Sequence, residues 1–176
     1  RVTDPAGAAL AVTHTAPSQW GVPTHPSTVR LSYRVFGDRT DGTYLSIDSA
    51  HAHINMPAAL MWARGLETRP VNVRFEPPAG SNWRVATQLF PGTDAQTFTA
   101  PNLQYLMDSP SELSSFAPGT FTVGDDSRQP ACRVAVHHVG DDAELDGFAR
   151  DVEKIVREER GVYGEFAPYD GVPYTF

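Results

Sequence analysis

The chain has 176 residues, a 40% hydrophobic fraction and a formal net charge of −7. That length suits one domain, or one domain plus part of another, and the apolar content excludes a disordered chain. The 14 Lys and Arg residues form no basic run, which argues against a nucleic-acid partner, and no apolar stretch approaches the ~20 residues that span a bilayer.

Proline and glycine are scattered without a period, which favours many turns and a mainly β chain. "ALAVTHT" near Leu10 is a short strand candidate. In "VRLSYRVF" (29–36), Val29, Leu31, Tyr33 and Val35 alternate with polar residues, the period of a half-buried strand. Asp41-Gly42 signals a tight turn into a strand over 43–47. "VNVRFE" (71–76) alternates again and stops at Pro77-Pro78, since proline has no N–H to give a ladder. "NWRVATQLF" (82–90) reads as a strand ended by Pro91-Gly92, and shorter strands are expected near Phe98 and Phe121. About seven short strands at this spacing predict an antiparallel β-sandwich or saddle-like sheet.

The pattern changes near residue 130. "ACRVAVHHV" (131–139) is a strand whose Cys132, the single cysteine, reads as a small buried hydrophobe. One thiol makes neither an internal disulfide nor a Cys-rich zinc site, so cysteine usage leaves the compartment open between cytoplasm and periplasm. Leu145, Phe148, Val152, Ile155 and Val156 recur at helical spacing and predict an amphipathic helix over about 142–160. Asp141 and Glu144 suit a capping box, Glu153–Arg157 and Lys154–Glu158 suit pairs on the polar face, and Gly161 or Gly164 can close the helix. "PYTF" then opens a further strand. This divides the chain into a β-rich part, residues 1–129, and an incomplete strand–helix–strand unit, residues 130–176.

Several groups are candidates for chemistry. His51 and His53 share a face if they lie on a strand, and two imidazoles can begin a metal site. A third ligand is wanting: Asp48 would face the other way on that strand, so the pair reads as polar residues at a sheet edge, and no metal site is assigned. His137 and His138 are adjacent, so on a strand they face opposite sides. No Gly-x-Ser-x-Gly, phosphate-binding glycine loop or His-Glu-x-x-His occurs, and no catalytic residue is assigned. "QYLMDSPSELSSF" (104–116) reads as an apolar loop holding Asp108 and Glu112. A carboxylate in such a setting needs a partner, because an unpaired buried charge is costly.

The ordered set "VRLSYRVF", "GTYLSIDSAHAHINMPAALMWARG", "NWRVATQLFP", "FTAPNLQYLMDSPSEL" and "LDGFARDVEKIVREERGVYGEF" resembles the N-terminal part of the glycyl aminopeptidase family of zinc metallopeptidases. The resemblance implies a β-rich N-terminal domain, then a thermolysin-like catalytic domain, often then a PDZ domain. It implies zinc in the parent protein but none in this chain, because the His-Glu-x-x-His that would hold it is missing. Residues 130–176 then resemble the first elements of the catalytic lobe, and the chain alone is expected to be inactive.

By the same resemblance, the "DSPSEL" loop reaches a peptide-binding cleft. There Glu112 would pair with the substrate's α-amino group, with Asp108 supporting the loop. The expected partners are the remaining catalytic domain, a peptide substrate and, through the exposed helix face, a second copy of the chain. The alternative is a stand-alone β-sandwich module that binds carbohydrate or peptide through Trp20, Trp62 or Trp83, although Trp83 alternates like a core residue.

Overall fold

The computed structural model describes residues 1–39, 41, 43–123, 131–138, 144–166 and 171–176. The chain forms two compact units, residues 1–36 and residues 37–176. In the first, strands β1 (Val2–Thr3) and β4 (Arg30–Leu31) pair antiparallel, and β2 (Thr13–Ala16) forms a bulged hairpin with β3 (Gln19–Gly21). The strand expected over 29–36 therefore shrinks to two residues. Its partner β1 is only two residues long, and the ammonium group of Arg1 closes the ladder by donating to Ser32 O at 2.8 Å. Beyond that point the alternating side chains gain no cover: Phe36 is 88% exposed, and Tyr33 and Val35 are exposed too.

The second unit carries β5 (Leu45–Ile47), β6 (His51–Ile54), α1 (Met56–Ala59), β7 (Val71–Arg74), β8 (Arg84–Thr87), β9 (Phe90–Pro91), β10 (Thr97–Ala100), α2 (Leu103–Met107), β11 (Ser111–Ser114), β12 (Ala117–Thr122), β13 (Ala131–Val136), α3 (Leu145–Tyr163) and β14 (Tyr174–Thr175). Its strands form one four-stranded sheet, β5-β6-β11-β8, and two three-stranded sheets, β7-β10-β9 and β12-β13-β14. All pairings are antiparallel except β13 with β14, which the helix α3 joins as a parallel crossover. The chain is mainly β, with several small sheets and one long helix near its end. The interval expected to part the two domains, 124–130, lies outside the described residues.

His51 and His53 are not in an edge loop; they lie on β6, an interior strand flanked by β5 and β11. Glu112 is likewise not in a loop. The run 104–116 folds as helix α2, a short connection through Asp108, Ser109 and Pro110, and the interior strand β11. Asn102 starts α2 by accepting from Tyr105 N at 2.8 Å, and Ser109 Oγ donates back to Tyr105 O at 2.7 Å.

Alternation along the four-stranded sheet sorts its two faces. Ala52, Ile54, Val85 and Leu113 point into a core with Met56, Phe75, Leu89, Phe98 and Leu106. Phe75 and Phe98 meet edge to face with centroids 5.7 Å apart, and Trp83 packs on this core as its alternation implied. Ser111 faces the same way but is satisfied, its hydroxyl donating to Thr87 Oγ1 at 2.9 Å.

The helix α3 covers one face of β12 and β13. Val123, Cys132 and Val156 form a small second core, with Phe121, Val152 and Phe166 packed around it. Gly119 lets the helix approach closely there, since a Cβ at that position would stand 3.2 Å from the Ala149 Cβ, a tight contact. The helix ends as expected at Gly164, whose φ of 85° is left-handed and whose N–H donates to Arg160 O. Of the expected capping box, Asp141 lies outside the described residues, and Glu144 caps without a side-chain bond. Glu153 and Arg157 pair at 2.7 Å as expected, whereas Lys154 takes Asp151 rather than Glu158. Two of the five residues of the helix's apolar stripe are left in solvent: Phe148 is 53% and Ile155 59% exposed.

Candidate functional site

The second face of the four-stranded sheet is polar. Register places Glu112 opposite His53 on one side and Ala86 on the other, and Ser114 opposite His51 and Arg84. Side chains at alternate positions share a face, so His51, His53, Glu112 and Ser114 converge. Above them lie Ala135, His137, Thr175 and Phe176, from β13, β14 and the residues that follow each. The space between is an open hollow of about 440 Å3.

Arg133 fixes the two sheets across this hollow. Its guanidinium donates to Thr87 O at 2.9 Å and to Thr175 Oγ1 at 2.8 Å, and Thr175 N donates to Gln88 Oε1 at 3.0 Å. Burial pulls the Arg133 pKa down, and these oxygens offset that cost. Ala135 lines the hollow, and Arg133, two residues earlier on the strand, shares its face. Cys132, by contrast, points into the core under α3, so Glu112 lies on the side of β13 away from that helix.

Glu112 sits between two imidazoles. Its Oε1 is 3.5 Å from His51 Nδ1 and its Oε2 is 3.7 Å from His53 Nδ1. Burial alone would push its carboxyl up. The polar groups of His53 and Ser114 close by and the charges of His51 and His53 outweigh that, and the pKa lies below its ordinary value. The Ser114 hydroxyl acts by proximity, because it lies outside good hydrogen-bond geometry. At neutral pH Glu112 is therefore a carboxylate open to a hollow, suited to a cation.

Asp48 does not lie on the histidine strand. It turns the chain into β6, its Oδ1 accepting from Ala50 N at 2.7 Å and His51 N at 3.0 Å, while its Oδ2 stands 3.7 Å from His51 Nε2. Asp108 is exposed at the end of α2, accepting from Gln104 Nε2 at 3.0 Å. His137 stacks on His51 with ring centroids 4.5 Å apart, a meeting the sequence reading missed. Its only sequence signal is that His137 follows a strand that has to pair with something.

A second hollow of about 580 Å3 lies between α1 and α2, lined by Pro57, Leu60, Trp62, Leu103 and Met107 among others. Trp62 is exposed at its rim. Among the described residues no helix is long and apolar enough to cross a membrane.

Comparison with known proteins fits this picture. A solved structure from Idiomarina loihiensis, described as an aminopeptidase N family protein, superposes on 99% of this chain with a TM-score of 0.73 and 19% identity. At that identity the likeness concerns the fold, and this chain spans 29% of that protein's length. No curated protein matches the chain. The family model for the peptidase M61 N-terminal domain matches residues 1–115, which include β6 and β11 with His51, His53 and Glu112. The chain therefore belongs to the peptidase M61 (glycyl aminopeptidase) family, and its first 115 residues are that family's N-terminal domain.

Proposed function

We propose that this chain is a non-catalytic part of a zinc-dependent aminopeptidase that supports and borders the peptide-binding cleft. The family match carries the reading, and the sequence supports it by lacking His-Glu-x-x-His. The His-Glu-x-x-His that carries the family's hydrolytic zinc does not occur in this sequence, so no hydrolytic step is derived for these residues. The uncovered stripe of α3, Phe148 and Ile155, is the surface expected where a further catalytic lobe packs. On this reading the crossover β13–α3–β14 is the opening of that thermolysin-like lobe, and the small sheets before it belong to the N-terminal domain. A PDZ domain further along the parent and a second copy docked on α3 belong to the same family expectation.

Within this frame Glu112 receives the substrate's α-ammonium. The motivating observation is a carboxylate with a lowered pKa, flanked by imidazoles and open to a hollow. Asp108 supports the turn that leads into its strand. The test is Glu112→Gln in the enzyme formed when this chain is followed by its catalytic lobe. A charge-assisted hydrogen bond is worth about 1.5–3 kcal/mol, so kcat/KM for free-amino peptides should fall by about ten- to a hundredfold, mostly through KM. Substrates with an acylated amino group should be unaffected. Equal losses on both substrates would defeat the assignment.

A further inference from the structure

We propose that His51, Glu112 and His137 form a binding site for a divalent transition-metal ion of the zinc class. The inference goes beyond the peptidase reading and does not rest on it. One donor atom from each of the three residues lies within 4.8 Å of the other two. The residues come from β6, β11 and the end of β13, so the site exists only when the two sheets are docked.

The decisive observation is a conflict between two buried acceptors. His51 Nδ1 and Glu112 Oε1 face each other at 3.5 Å, both shielded from solvent, and neither has a hydrogen-bond partner. Asp48 stands at the other ring nitrogen, Nε2, and favours the proton there. That leaves the Nδ1 lone pair aimed at a carboxylate oxygen. Two buried lone pairs opposed in this way are unfavourable unless a cation lies between them. The cation can be a proton on His51 or a metal ion held by both atoms.

His137 decides for the metal. It brings a third nitrogen within 4.8 Å of the other two donor atoms, its ring stacked on the His51 ring at 22°; a proton needs only His51, whereas a metal ion can use all three donors. Two imidazoles and a carboxylate form a donor set favoured by zinc, cobalt, nickel and copper. Donors around tetrahedral zinc stand about 3.3 Å apart, so the His51–Glu112 pair is already nearly in place. The exposed His137 ring at the end of its strand has to turn out of the stack to bring its nitrogen in. The remaining coordination position opens to the hollow. A dication there repels a substrate ammonium from Glu112, so the two occupants exclude each other.

The test uses the untagged 176-residue chain, stripped with chelator. Zinc is titrated by calorimetry and cobalt by its visible absorption. We expect one equivalent to bind, with Glu112→Gln and His137→Ala each weakening binding by at least about tenfold. His53→Ala should change it less than about threefold, since His53 faces the other carboxylate oxygen. His137 is exposed, so its replacement should leave the metal-free denaturation midpoint unchanged, which separates lost binding from lost folding. The proposal is overturned by the absence of stoichiometric binding, by affinity that survives His137→Ala, or by a larger loss in His53→Ala. It is equally overturned if the His51 ring resonances titrate with pH but do not respond to zinc, since a proton alone then fills the gap.

Discussion

Neighbouring positions on α3 give a sharp contrast. Val156 is 6% exposed in the small core beside Val123 and Cys132, whereas Ile155 is 59% exposed on the stripe facing solvent. Val156→Ala removes two buried carbons, worth about 1.6 kcal/mol at roughly 0.8 kcal/mol per methylene, and leaves a cavity besides. Alanine's better helix propensity returns about 0.5 kcal/mol, so the expected cost is about 1.5–2.5 kcal/mol. Ile155→Ala removes three carbons, but only the covered two-fifths of that surface counts, about 1 kcal/mol at most by the same scale. Alanine's better helix propensity returns about 0.4 kcal/mol, so the net cost should fall near 0.5 kcal/mol.

Urea unfolding followed by circular dichroism reads both, provided the slope m is unchanged so that midpoints compare directly. Phe148→Ala should behave like Ile155→Ala. If the exposed pair cost as much as Val156→Ala, the stripe is covered within this chain, and the argument that it awaits another lobe fails.

Other consequences follow from close approaches and charge. Gly37→Ala should destabilise by about 1–3 kcal/mol, because its Cβ would stand 2.7 Å from the Leu45 Cβ and that backbone has to shift; an unchanged melting temperature would contradict the packing. Gly164→Ala should cost about 1 kcal/mol, since its φ of 85° is left-handed; equal urea midpoints would contradict it. The Glu112 pKa is lower in the folded chain than its ordinary 4.5, so its contribution is present above that value and lost as pH falls through the lowered one. Glu112→Gln should therefore flatten the acid limb of the stability curve; Asp48 and Asp94, also held low by hydrogen bonds, keep part of it. An unaltered acid limb would mean that Glu112 is not held by its histidines.

Much of the fold is legible wherever local chemistry and tertiary demand agree. β7 alternates and ends before two prolines, and α3 shows its stripe and its terminal glycine. The stretch 29–36 misleads because alternation records only a readiness to pair, and β1 offers two residues of partner. β6 and β11 escape notice for the opposite reason. Alanine, histidine, serine and glutamate have little β propensity, and these strands form because both neighbours supply hydrogen bonds and Ala52 and Leu113 reach the core.

The site inherits that difficulty. Glu112 stands out in sequence as an acid among apolar residues, but its partners come from a strand hidden by composition. His137 arrives from another sheet, placed by the crossover and by Arg133. Sequence spacing pairs His51 with His53 and turns Asp48 away, whereas the fold adds Glu112 and His137 and brings Asp48 to the His51 ring as well.

The central claim, that this chain borders a peptidase cleft without doing the chemistry, meets its most direct test in a hydrolysis assay. The purified 176-residue chain, supplied with one equivalent of zinc, is incubated with glycyl-p-nitroanilide and a free-amino dipeptide. The account predicts no release above the zinc-only blank, even if the histidine site takes up the ion. Turnover that copurifies with the chain and disappears in Glu112→Gln would contradict it.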